Sequence, residues 1–139
     1  MPKLDTYHAV VRTALAKDNW NITHDPMHLK VGLRKVYIDL GAEYLLSADK
    51  GTHKIAVEVK SFLGHSDVAD LEQAVGQYVV YETILKKYDP ERMLYLALSE
   101  RAFNNIFSDE IGQLLLADKI MRLLVFNEES EVISQWIPH

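Results

Sequence analysis

The stretch Ile55-Ala56-Val57-Glu58-Val59-Lys60 decides how this chain is read. It is apolar enough to form a buried β-strand, yet it carries two charges. Side chains alternate faces along a strand. Ile55, Val57 and Val59 therefore point one way, and Glu58 and Lys60 point together the other way. Desolvating an acid and a lysine costs free energy unless something pairs with them. The end of this strand is thus a candidate site.

Working outward, Val36-Tyr37-Ile38-Asp39-Leu40 repeats the theme, with one acid inside an apolar run. Alone, Glu58-x-Lys60 would read as a surface ion pair on a solvated strand face. Asp39 on a neighbouring apolar strand shifts the balance towards a site. Hard divalent cations prefer oxygen ligands, and Mg²⁺ takes one or two carboxylates plus waters and phosphate oxygens. Asp39, Glu58 and the main-chain carbonyl of Val59 are the expected ligands of Mg²⁺ or Mn²⁺, with Lys60 beside the metal to orient water and stabilise developing charge. A regular hairpin centred near Lys50 pairs Glu58 with Ala42, leaving Asp39 ~10 Å away at strand rise. A bulge at Gly41 would shorten that gap. Glu43, of the same parity as Asp39, stands as a rival or additional ligand.

Residues 67–87 read as the strongest helix, with Ser66 as N-cap, Asp67 and Asp70 in its first turn and Lys86 and Lys87 in its last. Val68, Leu71, Val75, Tyr78, Val79 and Leu85 form its expected buried stripe, and Gly76 within it suggests close packing. Gln73, Gln77 and Tyr81 share one face at helical spacing and are candidates to contact Lys60 or a substrate phosphate. His8 sits at the edge of an apolar stripe in a helix over 4–17, as a contact to a phosphate or to the metal's water shell, or as a boundary residue with one hydrogen bond. His24 and His28 flank Pro26, which argues against the helix they would need to share a metal. His53, His65 and His139 are expected in solvent.

The rest of the chain supplies a strand near Trp20–Thr23, a long or bulged strand from Lys35 to about Ala48, and a turn at Ala48-Asp49-Lys50-Gly51. The central strand runs from Lys54 to Phe62. Further strands fall at Met93–Leu98, Arg122–Phe126 and Val132–Trp136, the last two forming a hairpin, with partial helix over 101–119. The order α-β-β-β-α-β-α-β-β makes an α+β fold with a central mixed sheet flanked by helices.

The 139 residues suffice for one domain, 1–139, with a real core. There are no cysteines, which excludes thiolate metal sites and disulfides. No apolar run approaches a membrane span, and the start of the chain lacks a signal-peptide core, so a soluble cytoplasmic protein is expected. The net charge of −5 is uneven: residues 1–60 carry +2 and residues 61–139 carry −7. The half with the candidate site is the basic half. The acidic half suits a protein partner better than a phosphate.

Asp39, Glu58-x-Lys60 and Gln77-x-x-x-Tyr81 together resemble the PD-(D/E)xK nuclease superfamily, and the Gln-x-x-x-Tyr element resembles its RecB-type members. Ile38 stands where a proline often precedes the aspartate. The chain is more specifically similar to the XisH family, over Thr23-His24-Asp25-Pro26, Tyr37 to Glu43, Ile55 to Phe62, Gly76-Gln77-Tyr78, Ile111 to Leu116 and Trp136-Ile137-Pro138. The resemblance implies a restriction-endonuclease-like fold. It also implies a role in controlling excision of the fdxN DNA element in heterocyst-forming cyanobacteria, where a separate site-specific recombinase cuts and XisI is a companion factor. Two functions follow as expectations. One is a Mg²⁺- or Mn²⁺-dependent DNA endonuclease or nickase, working as a homodimer where both strands are cut. The other is a non-catalytic factor that binds DNA, an XisI-type protein or the recombinase.

Overall fold

The computed structural model describes residues 5–49, 51–64 and 66–138. Residues 1–4, Lys50, His65 and His139 lie outside the described residues, and with them part of the 48–51 turn and residue 4 of the helix expected over 4–17; residues 5–7 are described and are not helical, the helix starting at His8. The frame is a six-stranded mixed sheet in the order β1-β4-β5-β6-β7-β8. Its strands are β1 (Asn21–His24), β4 (Leu40–Ser47), β5 (Gly51–Val59), β6 (Arg92–Ser99), β7 (Leu123–Asn127) and β8 (Val132–Ile137). The inner strands β5, β6 and β7 are parallel; the outer pairings β1–β4, β4–β5 and β7–β8 are antiparallel. Strands β2 (Met27–Val31) and β3 (Arg34–Ile38) form a separate two-stranded ribbon.

Parallel strands need long crossovers and both faces covered, which explains the unbroken apolar run of β6. The long helix α2 (Asp67–Tyr88) carries the chain from β5 to β6, and α3 (Glu100–Ile106) and α4 (Glu110–Ala117) carry it from β6 to β7. Helix α1 (His8–Lys17) covers the opposite face. Val11 and Leu15 of α1 pack on Ile55, Val57 and Val59, while Leu71, Ala74 and Tyr78 of α2 pack on Ala56 and Leu94. The alternation read from β5 therefore holds: Ile55, Val57 and Val59 face α1, and Glu58 shares the α2 face with Ala56.

Helix α2 is capped as expected, Ser66 Oγ accepting from the Ala69 N–H at 3.2 Å. Tyr78 pins it to the sheet, donating to the Leu94 carbonyl at 3.0 Å and accepting from the Arg122 N–H at 3.1 Å. Its buried stripe is Leu71, Ala74, Tyr78 and Leu85, with Val75 partly buried; Val68 and Val79 are about half exposed. Successive helical residues rotate by about 100°, so Val79, next to Tyr78, turns off the core face. Gly76 is exposed with open space around it, so close packing is not its role.

The long strand expected over 35–48 is two strands broken at Asp39, and β2, which follows Pro26, has no counterpart among the expected strands. His53 is half-buried rather than solvent-facing, its ring 5.5 Å from that of Trp20. Among the described residues no helix is long and apolar enough to cross a membrane.

Two glycines give opposite expectations. A Cβ at Gly112 would collide with the backbone of α3, at the Ile106 carbonyl and 2.5 Å from Phe107 Cα. Gly112→Ala should lose about 1–3 kcal/mol, as overpacked cores do. Gly76→Ala should gain about 0.5–1 kcal/mol from helix propensity. Denaturant midpoints of the two variants check both signs.

Candidate functional site at the ends of the central strands

Asp39 sits where the chain leaves the β2–β3 ribbon and enters the main sheet. Its backbone has left the ladder, so its N–H is free for a side chain and donates to Glu58 Oε1 at 3.2 Å. In return, the Val59 N–H donates to Asp39 Oδ2 at 2.8 Å. The two carboxylates are thus laced together by reciprocal side-chain-to-backbone bonds. The register makes this possible: Leu40 pairs with Val57, which brings Asp39 level with Glu58. The offset expected from a regular hairpin is absent, because the turn centres at Asp49 rather than Lys50, with Ser47 opposite Gly51, and the ladder slips between Leu45 and Ser47 rather than at Gly41. Glu43 pairs with Lys54, four residues along β4 from Asp39, or about 13 Å at strand rise. The fold does not bring Glu43 to the carboxylate pair.

Lys60 follows the end of β5, and its N–H extends the ladder by donating to the Ala97 carbonyl at 3.0 Å. Its side chain, the carboxylate pair, Val59, Gln77 and Tyr81 line one cleft of about 380 Å³, together with Asp5, Thr6, Tyr37 and Ser61. Gln77 and Tyr81 reach it from α2. Gln73 instead lines an adjoining hollow that it shares with Lys60 and Asp5. His8 is buried beside the cleft without lining it. Its Nε2 lies 2.7 Å from Asp25 Oδ1, and Asp25 also pairs with Arg12 at 2.5 Å. His24 and His28 are both exposed, on β1 and β2.

Asp5 is a residue of the cleft that sequence patterning does not single out. Its carboxylate accepts from the Tyr7 N–H and the Ser61 N–H, both at 2.9 Å, tying the approach to α1 onto the segment after β5. The local signal, an acid just ahead of a helix, accounts for the bond to Tyr7 only. The bond to Ser61 spans most of the chain's first half.

Electrostatics mark the cleft as short of positive charge. Burial, then repulsion from Asp39, pushes the Glu58 carboxyl up to about 8, and Lys60 only partly offsets this. Burial also raises Asp39, against the bond it accepts from Val59. Tyr81 is pushed up to about 12 by burial and by the two acids, so its phenol stays protonated. The Oε1 atom of Gln77 is buried without a hydrogen-bond partner among the described residues. Two crowded carboxylates and an unused amide oxygen form a hard, all-oxygen donor set, which fits a divalent cation and its water shell. No group of three or more acidic or histidine side chains suited to a metal occurs among the described residues. Two carboxylates nevertheless meet the need of Mg²⁺, which keeps several waters.

A mixed sheet between one helix and three, with an acid pair and a lysine where its central strand ends, defines an α+β protein with an acid-lined cleft. Residues 1–134 match the family model described as XisH protein, and the chain belongs to the XisH family. It is similar to two solved structures: an XisH family protein from Nostoc punctiforme PCC 73102 and an fdxN element excision controlling factor protein from Anabaena variabilis. Each is 38% identical with a TM-score of 0.85, over 96% of this chain and 99% of the other. No curated protein matches the chain.

Proposed function

We propose that this protein is a metal-dependent phosphodiesterase of the PD-(D/E)xK nuclease kind that acts on DNA, in the control of excision of a DNA element. The observation that carries this reading is the reciprocal bonding of Asp39 and Glu58 beside Lys60. Gln77 and Tyr81 on the wall of the same cleft add support, since they complete the residue pattern of the RecB-type members. The control role comes from the Anabaena variabilis relative, which is an fdxN element excision controlling factor.

Asp39, Glu58 and the Val59 carbonyl would hold Mg²⁺ or Mn²⁺. Such an ion, when bound, polarises a phosphate and lowers the pKa of a coordinated water. Lys60 presents an ammonium beside Glu58, where it holds a water in position and stabilises negative charge developing on a phosphate oxygen. The protonated Tyr81 phenol is a hydrogen-bond donor on the opposite wall. Gln77 offers its amide to the ion's waters or to the substrate. Calorimetric titration with Mn²⁺ should show one site in the wild type and none in Glu58→Ala. Wild type and variant binding alike would remove the site from this reading.

The acidic half, −7 over residues 61–139, favours a second reading in which the protein is a non-catalytic factor that docks a partner of XisI type, the recombinase or a second copy. It requires that partner binding survive Glu58→Ala and that purified protein cleave no DNA in Mn²⁺.

A further inference from the structure

We propose that the β2–β3 ribbon is the arm by which this protein grips duplex DNA, with Lys30, Lys35 and Arg34 on the phosphates and Leu33 at the groove. This rests on the DNA-acting reading above and extends it to a named surface outside the carboxylate cleft.

The ribbon is a small sheet of its own, joined to the body at one end. Its base is fixed by the Met27–Ile38 pair, both buried in the core under α2, and by Leu29, partly buried against the same core. Its far end, at Gly32 and Leu33, stands in water, and Leu33 is fully exposed. An apolar side chain at the tip of a projecting hairpin has no folding role to explain it.

The charge is as uneven as the burial. Residues 27–38 contain three cations and no acid. The chain's net charge is −5 and the ribbon contributes +3, so the rest of the chain carries −8. Lys30 and Lys35 are direct cross-strand partners, and Arg34 pairs with Val31. Like charges directly opposite on an antiparallel pair are destabilising. None of the three has an ion-pair partner among the described residues, and all three are exposed. An external anion relieves that repulsion.

The anion's identity follows from where the ribbon leads. Cross-strand partners share a face, and alternation places Lys30 and Lys35 on the same face as the His28–Tyr37 pair, with Arg34 beside the tip on the other face, toward the second wall of a groove. Tyr37 lines the carboxylate cleft. A strip of aromatic and then cationic side chains therefore runs from the cleft along the ribbon. From Asp39 to Leu33 is six residues, about 20 Å at strand rise, a length over which one DNA strand carries about six phosphates. A two-stranded ribbon is also an element that the major groove, about 12 Å wide, admits, with Leu33 placed for contact with base edges. The acidic remainder repels the duplex elsewhere and so favours this orientation.

The test is fluorescence anisotropy of a short labelled DNA duplex in EDTA across a salt series, with wild type, Lys30→Ala/Arg34→Ala/Lys35→Ala and Lys30→Arg/Lys35→Arg. The triple variant should bind about tenfold or more weakly at low salt. Its slope of log affinity on log salt should be shallower by about 2.7, or about 0.9 for each phosphate that is no longer neutralised. The arginine variant should keep the wild-type slope, which a folding defect would not allow. An unchanged slope in the triple variant, or a wild type that prefers phosphatidylserine vesicles or single-stranded RNA to the duplex, overturns the proposal. Glu58→Ala run alongside separates the two readings. Duplex binding that survives in it, with Mn²⁺ calorimetry failing in the wild type, removes the nuclease and leaves the arm.

Discussion

Lys60→Ala should lower the rate of metal-dependent DNA cleavage by about 10²–10³-fold, the loss typical of removing one preorganised donor from developing transition-state charge. The effect belongs to the reaction and not to assembly of the cleft. Lys60 is held by its backbone bond to Ala97, which alanine keeps, and its side chain takes no part in the acid pair's reciprocal bonds. Mn²⁺ affinity should therefore stay level or rise, since a competing positive charge has gone. Lys60 also draws the Glu58 carboxyl down, so any residual cleavage should need a higher pH than the wild type. Initial rates of plasmid nicking, paired with Mn²⁺ calorimetry, read both effects. A variant that nicks at the wild-type rate would place Lys60 outside the chemistry. A variant that loses Mn²⁺ binding would make it a structural residue.

Glu58→Gln should stabilise the protein, and more so as the pH rises. The folded state holds the Glu58 proton up to about 8, against an ordinary value of 4.5. Between those two values the native state binds more protons than the unfolded chain, so stability falls as the pH climbs. The stabilising proton is fully present below about pH 4.5 and lost through about pH 8. Asp39 is raised for the same reason of burial and adds to the same slope. Glutamine cannot ionise, yet its amide oxygen can still accept the Asp39 N–H. The gain should be about 2–4 kcal/mol at pH 9 and below about 1 kcal/mol at pH 5, or a Tm rise of about 5–10 °C at the higher pH. Mn²⁺ should recover much of this stability in the wild type at pH 9 and none in the variant. Parallel Tm–pH curves for the two proteins would show that Glu58 is not charge-strained. On the proposed reading the strain is preorganisation: a bound cation would supply the counter-charge that the fold does not give the two crowded acids.

What the sequence alone determined is local in origin. The alternation in β5 put Glu58 and Lys60 on one face because strand parity needs only consecutive residues. The cap at Ser66, the acids after it and the lysines at its end delimited α2 because capping and the helix dipole act within one turn. The turn residues 127–130 located the last hairpin, and the spacing of Gln77 and Tyr81 put them on one helix face. The tertiary structure decided what depends on distant chain segments. Asp39 meets Glu58 and Glu43 does not, because the turn centres at Asp49 rather than Lys50 and the ladder slips by one more residue near Ser47, and a shift of register moves every later pair along the strand. The break at Asp39 and the existence of β2 follow from Met27 and Ile38 finding a core built largely by α2 and β6. Val68 and Val79 are exposed because the sheet offers α2 a narrower strip than its apolar residues would cover. Asp5 joins the cleft through Ser61, a contact across 56 residues that no short-range pattern encodes. Residue types and periodicity thus named the candidate acids, while register and packing, which are sums over non-local contacts, chose which of them meet in the cleft.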